Sequence, residues 1–317
     1  MNTSFAIQRL IEVCRRQHKS LATERVYSLW LRDYCRFMVS VDPTLTSEKK
    51  VERFLTMLAQ KRDVSASTQS QAFCALLFFY KCVLEKPLKN VDALRATRPD
   101  RIRYCPPRSE VMKLLPMVPN VGGYPTNLVT RLLYGCGLRV GEPIALRIKD
   151  VDLEKGKLSI LGAKGGKDRV VALPCSLVEE IRQQMDFVRA IWRRDVLAKI
   201  PICLPHQLAK KYPVYQFSWP WAWLFPMQNP RHHPRTGEIV RWHLLACNVQ
   251  RAVKTAADKL GVPVTPHSLR HSYASDCIAN GTNIKALQSA MGHSNSDTTM
   301  QYVHADALGV KSPLEFS

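Results

Sequence analysis

A mainly α-helical protein of two domains, with a small antiparallel β element in the second, is the fold class this sequence predicts. Three observations carry it. The first ninety or so residues repeat apolar side chains at helical spacing, residues 95–108 break that pattern with proline and arginine, and two β-rich runs flank Gly165-Gly166. At 317 residues the chain is too long for one small core and suits two domains.

In the first region, Ala6 to Arg16 reads as a helix. Leu21 to Met38 follows, with Val26, Trp30, Leu31, Tyr34 and Phe37 on one stripe. Pro43 interrupts, after which Thr46 or Ser47 can cap a helix carrying Val51, Phe54, Leu55 and Leu58. A side-chain oxygen at that position accepts from an orphan amide of the first turn. A further helix is expected from Ser67 to Leu84, ending before Pro87. The apolar stripes read as core, so residues 1–94 form a helical bundle domain.

The stretch from Arg95 to Arg108 holds three prolines and five arginines, the texture of an exposed linker rather than a packed element. We place the linker at 95–106 and the second domain at 107–317. The whole chain carries 46 Lys and Arg against 26 Asp and Glu, a net charge of +20. Such an excess suits a polyanion, because neutralising phosphates releases condensed counterions. Charge alone does not separate DNA from RNA or an anionic membrane surface. No run of about 18 apolar residues predicts a membrane span. The first residues also lack the apolar segment of a secretory signal, so a cytoplasmic protein is expected. The ten cysteines are scattered with no C-x-x-C pair, which predicts free thiols rather than a zinc site or disulfide framework.

In the second domain, Glu110 to Leu115 and Val129 to Tyr134 read as helical, followed by a bend at Gly135 and Gly137. Lys157 to Leu161 and Arg169 to Leu173 then form a hairpin around Gly165-Gly166. A helix is expected from Leu177 to Arg194. Residues 200–240 are rich in proline and tryptophan and contain Arg231-His-His-Pro-Arg235, the texture of an insertion with its own aromatic packing. Helices resume at Trp242 to Leu260, Ser268 to Asn280 and Ile284 to Met291.

Five short pieces carry chemistry. They are Gly137-Leu-Arg139-Val-Gly-Glu142, the hairpin with Lys164, His267-Ser-Leu-Arg270-His271, Gly292-His293, and Tyr302. Glu142 falls about one helical turn after Arg139 and could support that helix. His267 and Arg270 are three apart, so a helix start puts both on one face. His267 and His271 stand four apart, but the histidines at 232, 233, 243, 267, 271 and 293 show no H-E-x-x-H or other carboxylate pairing, and neither a metal nor another cofactor is expected.

The ordered set Arg139, Lys164, His267-x-x-Arg270, His293 and Tyr302 resembles the active site of the tyrosine recombinase family. The resemblance spans both domains and is most specific over roughly the last 200 residues. It implies a helical N-terminal core-binding domain and a mixed α/β catalytic domain, closed as a C-shaped clamp around DNA. It also implies roles. Tyr302 attacks the scissile phosphate, giving a 3′-phosphotyrosyl bond and a free 5′-hydroxyl. Arg139 and Arg270 present planar forks to phosphate oxygens. Lys164, with Lys167 as competitor, protonates the leaving oxygen. His267 acts as acid or base beside the tyrosine and His293 donates to the phosphate, although either histidine could serve by hydrogen bonding alone. Apart from the resemblance, the basic linker with Arg101 and Arg103 could track along a DNA backbone, the alternative being a merely solvated tether.

The insertion is similar to the extra segment of integron integrases, carried by Lys211-Tyr-Pro213, Trp219-Pro-Trp221-Ala-Trp223-Leu-Phe225-Pro226 and Arg235-Thr-Gly237. That resemblance implies folded single-stranded sites of the attC type alongside duplex sites, with Trp221, His243 and Pro234 contacting projecting bases. The alternative is that these aromatics form a satellite core. One departure weakens the base-contact reading: Trp242 stands where such integrases often carry a second histidine. The tail Leu308 to Phe316 implies packing into a neighbouring subunit of a DNA-bound homotetramer, or folding back on its own domain. The family also implies a bacterial, nucleoid-associated enzyme. Two alternatives remain beside the integron reading: a duplex-only chromosome-dimer or phage-type recombinase, and a non-catalytic DNA-binding protein on the same scaffold.

Overall fold

The structure is a computed structural model that describes residues 2–93, 104–162, 168–205 and 208–292. Lys164, His293, Tyr302, Arg101, Arg103 and the C-terminal tail lie outside the described residues. Contacts divide the chain into two compact units, Met1–Ile102 and Arg103–Ser317.

The first unit is built from α1 (Thr3–Arg16), α2 (Leu21–Met38), α3 (Ser47–Lys61) and α4 (Ala66–Phe78), the last running into a π-helical turn at Phe79–Val83. Each start has a local cause. Asn2, Ser20, Thr46 and Ser65 accept from first-turn amides, which satisfies one of the donors a helix start leaves open. Thr46, rather than Ser47, is thus the cap of α3. The stripe expected on α2 is the buried one at Leu31 and Tyr34, which meet Leu10, Phe54, Leu58 and Leu76 in one core. The helix expected from Ser67 to Leu84 is α-helical only to Phe78. The π turn beyond it carries Tyr80 inward, where its hydroxyl meets that of Tyr34 at 2.9 Å.

The second unit contains α5 (Arg108–Leu114), α6 (Thr126–Gly135), the single turn α7 (Gly141–Ile144), and β1 (Val151–Asp152), β2 (Lys157–Ile160) and β3 (Arg169–Ala172). It continues with α8 (Cys175–Leu197), the short α9 (Leu208–Lys211), β4 (Arg231–His232), β5 (Ile239–Val240), α10 (Ala246–Leu260), α11 (Pro266–Ala279) and α12 (Ile284–Met291). The strands form an antiparallel sheet in the order β1-β2-β3 and a separate β4-β5 ribbon. The expected hairpin is β2 with β3, in a register that sets Leu158 opposite Val171 and Ile160 opposite Arg169. Leu158, Ile160 and Val171 are buried. Because side chains alternate along a strand, Arg169 shares the inner face with Val171.

Helix α6 packs against α10 and α11, and α12 packs against β3. The helix expected to resume at Trp242 begins instead at Ala246. Residues 241–244 are extended and join the insertion: Leu244 N donates to Phe225 O at 2.7 Å and Met227 N to Trp242 O at 2.8 Å. All ten cysteines are free thiols. No helix among the described residues is long and apolar enough to cross a membrane.

Candidate active site

The bend after α6 places Arg139. Gly137 sits at φ +60°, and a Cβ there would lie 2.4 Å from the Tyr273 ring of α11, so only glycine lets the two elements approach. The turn that follows is closed reciprocally. Glu142 N donates to Arg139 O at 2.8 Å, and Arg139 N donates to the Glu142 carboxylate at 2.8 Å.

Glu142 is the centre of the cluster. Arg139 Nη1 donates to its Oε1 at 3.0 Å. Arg169 reaches in from β3 with both Nη atoms, at 3.0 and 2.7 Å. Arg270 lies 3.9 Å away. Burial pushes the Glu142 carboxyl up, but the Arg169 hydrogen bonds, the Arg139 amide and the neighbouring guanidinium charge outweigh it and hold the group below its ordinary value. Three guanidinium groups around one carboxylate leave a local excess of two positive charges, an arrangement suited to a dianionic or more highly charged phosphorus centre.

Arg270 is 2% exposed. Its helix starts at Thr265, whose hydroxyl accepts from Ser268 N while Ser268 Oγ accepts from Thr265 N, with Pro266 pre-set for the first turn. From α11, Arg270 donates to Gly137 O and to Met291 O, each at 2.5 Å. It thereby fastens the Arg139 bend to the end of α12. That end is a left-handed cap at Gly292, φ +62°, whose carbonyl accepts from Arg139 Nη2 at 3.3 Å. His293 follows directly in the chain. His267, in the first turn of α11, is exposed, with its ring edge-on to that of His271 at 4.4 Å.

The structure therefore brings Arg139, Arg270 and the backbone leading to His293 together, with His267 on the same helix as Arg270. Lys164, His293 and Tyr302 are outside the described residues. Sequence reading missed Arg169. Its signal was available, since two residues from Val171 on a strand is the same face.

The insertion holds the other candidates. Arg147, 5% exposed, donates to Trp221 O at 2.6 Å and Cys203 O at 2.9 Å. Its guanidinium lies 3.6 Å from the Trp223 ring centroid and 5.1 Å from that of Trp221. Trp221 stacks on Tyr215 at 5.5 Å, and Tyr215 on Tyr212 at 5.1 Å. His243 packs edge-on to Trp223 at 4.9 Å, and burial pulls its pKa down. Ala222, Trp223, Leu224 and Phe225 belong to the main core. Arg241 forks onto Asp195 of α8, both contacts at 2.5 Å. Pro234 is exposed at the tip of the β4-β5 ribbon, where His233 Nδ1 accepts from the amides of Arg235 and Thr236.

Residues 108–308 match the phage integrase family, and residues 7–90 match the phage integrase N-terminal SAM-like domain. The chain belongs to the phage integrase family. An integrase/recombinase of Escherichia coli is 38% identical to this recombinase, over 98% of this chain and 93% of that protein. A tyrosine recombinase XerA of Thermococcus onnurineus is 31% identical, over 90% and 85%. Among solved structures, the Tn1549 transposon integrase in complex with transposon right-end DNA matches with a TM-score of 0.63 at 16% identity, covering 94% of each chain. A lambda integrase dimer bound to a core site gives 0.62 at 15%, again covering 94% of each chain. These two likenesses speak to the fold. This phage-integrase-family member is a site-specific tyrosine recombinase.

Proposed function

We propose that this recombinase cuts and rejoins DNA through a 3′-phosphotyrosyl intermediate, with Tyr302 as nucleophile. The observation that carries the reading is the arginine cluster on Glu142, in which Arg139, Arg270 and the chain entering His293 are tied together by hydrogen bonds. Tyr302 Oη forms a bond to phosphorus as the bond to the 5′-oxygen breaks. Lys164 supplies the proton to that oxygen, and His267 serves the proton on the tyrosine side. Arg139, Arg270 and His293 balance the charge that builds on the non-bridging oxygens. The phosphotyrosyl bond keeps the energy for resealing, so neither ATP nor a metal enters the scheme. The solved recombinases of similar fold are complexes with DNA. This supports DNA as the partner here; the scheme further places Arg101 and Arg103 on the backbone and takes a homotetramer as the exchanging assembly.

At the finer level we propose an integron-integrase type acting on folded attC-type strands as well as duplex sites. The support is the exposed stack of Tyr212 and Tyr215 leading to Trp221, with the Lys149 ammonium 4.6 Å from the Trp221 ring. Stacking on such faces contributes roughly 1–3 kcal/mol per base. A duplex-only recombinase is the second reading, favoured by how fully Trp221, Trp223 and His243 are engaged with other protein groups.

The test is a nicked suicide substrate made from a folded attachment-site strand, incubated without metal. A covalent adduct is expected in the wild type and lost in Tyr302→Phe. No adduct in the wild type, or its persistence in Tyr302→Phe, overturns the mechanism. Trapping of duplex but not of folded substrate by the wild type would favour the duplex-only type, and loss of folded-strand trapping alone in Trp221→Ala would favour the integron type.

A further inference from the structure

We infer that Arg169 is a positioning residue of the recombination site, one that occupies the Glu142 carboxylate so that Arg139 remains turned toward the DNA phosphate. The inference rests on the assignment of Arg139 to phosphate binding under Proposed function.

Three observations support it. First, the two arginines on Glu142 are unequal. Arg169 binds both carboxylate oxygens through its two Nη atoms, whereas the Arg139 side chain reaches one. Second, their exposures are opposite: the Arg169 side chain is 6% exposed and that of Arg139 is 30% exposed. The better-paired arginine is inside, and the one with accessible surface is less completely held. Third, the Nε of Arg169 donates to Ala290 O in the last turn of α12 at 2.6 Å, and its side chain runs against Gly292, where a Cβ would meet it at 3.3 Å. One guanidinium thus joins β3, the Arg139 turn and the end of α12.

The electrostatic consequence follows from the pairing. A buried carboxylate binds whatever cation can reach it. Without Arg169, the charge of Glu142 falls on Arg139, with Arg270 3.9 Å away as the next cation. A guanidinium drawn into a bidentate pair with its own glutamate loses donors and field for a phosphate. With Arg169 in place, the carboxylate is already satisfied, and Glu142 orients Arg139 without neutralising it. The inner-face position of Arg169 opposite Ile160 shields the pair from water, which keeps the interaction strong.

The experiment uses full-length protein and a pool of nicked duplexes and hairpins with randomised arms, from which the wild-type covalent adduct selects its substrate. Single-turnover adduct formation and DNA Kd are then measured for Arg169→Met, Arg169→Gln and Arg169→Lys, each alone and combined with Glu142→Gln. Glu142→Gln keeps an acceptor for the Arg139 amide but removes the charge. Arg169→Met and Arg169→Gln are expected to slow adduct formation on the order of 100-fold, the scale of losing one well-placed donor. DNA affinity should change only a few-fold, because a buried, paired cation releases few counterions. Arg169→Lys, which keeps the charge on Glu142 but not the fork, should be slowed less than either neutral variant. Adding Glu142→Gln to either neutral variant should restore at least a tenth of the wild-type rate, a rescue that a purely structural role does not produce.

Wild-type rates in a neutral variant, or slowing that Glu142→Gln fails to relieve, would overturn the inference. Misfolding of both neutral variants beside a normal Arg169→Lys would also overturn it, by making Arg169 a structural residue. If the wild type forms no adduct with the pool, or Tyr302→Phe still does, the mechanism itself falls instead.

Discussion

The cluster around Glu142 and the insertion around Arg147 and Arg241 are both built on buried arginines, and they dispose of charge in opposite ways. In the insertion, Arg241 is matched to Asp195 and spends its remaining fork on Met227 O and Gln228 O. Arg147 is spent on two carbonyls and two indole faces, and burial pulls its pKa down to about 10. At Glu142, three arginines share one carboxylate. The first arrangement uses cations as structural fasteners. The second keeps positive field in reserve, which phosphoryl chemistry requires.

Removing a carboxylate or an arginine from each region sharpens that contrast, and the largest effect should come from the insertion. Asp195→Ala leaves Arg241 buried without its anion, an expected loss of about 3–5 kcal/mol of stability. Urea denaturation should show it, with activity per folded molecule unchanged. A mild effect on unfolding would mean that the backbone carbonyls alone satisfy Arg241. Arg139→Ala should do the reverse: adduct formation slows by about 3–4 kcal/mol of transition-state stabilisation, while the unfolding midpoint barely moves. If both quantities fall together, Arg139 is a fastener too.

Smaller changes probe how the site is held. Gly137→Ala must meet the Tyr273 ring and adopt a left-handed backbone, with an expected loss of about 1–3 kcal/mol visible as a lower Tm. Thr265→Ala removes the cap of α11 and should cost about 1 kcal/mol. The smallest is a pH effect. The folded Glu142 carboxyl lies below its ordinary value, so its contribution is present above the unfolded pKa and lost as pH falls through the folded one. Glu142→Gln should therefore flatten the acid side of the stability curve, and an acid limb unchanged by that substitution would remove Glu142 from the account.

The contrast also bears on how the insertion can be tested. Deleting residues 200–240 is an obvious way to ask whether it reads folded strands, yet the segment supplies Trp223, Leu224 and Phe225 to the main core. Such a deletion would unfold the second unit. Point changes at exposed Tyr212, Tyr215 or Pro234 separate recognition from packing.

Most of the helices were legible because their causes are local. A cap such as Thr46 and stripes such as Leu31 with Tyr34 act within a few residues of the elements they specify. The hairpin strands were legible for the same reason. The start of α10 was not: Trp242 to Leu245 looks helical by composition, but backbone bonds to Phe225 and Met227 hold that stretch extended, and no local rule weighs partners 15 and 19 residues away.

The sequence by itself determined the helical class, the proline-arginine break after the bundle, and the place of Glu142 about one turn after Arg139. Only the tertiary structure decided how charge is shared at that glutamate. Arg169 and Arg270 arrive from β3 and α11, and their partners Ala290 O, Met291 O and Gly137 O come from other elements again. A carboxylate's choice among cations depends on distance and burial, and both are set by packing between elements remote in the chain.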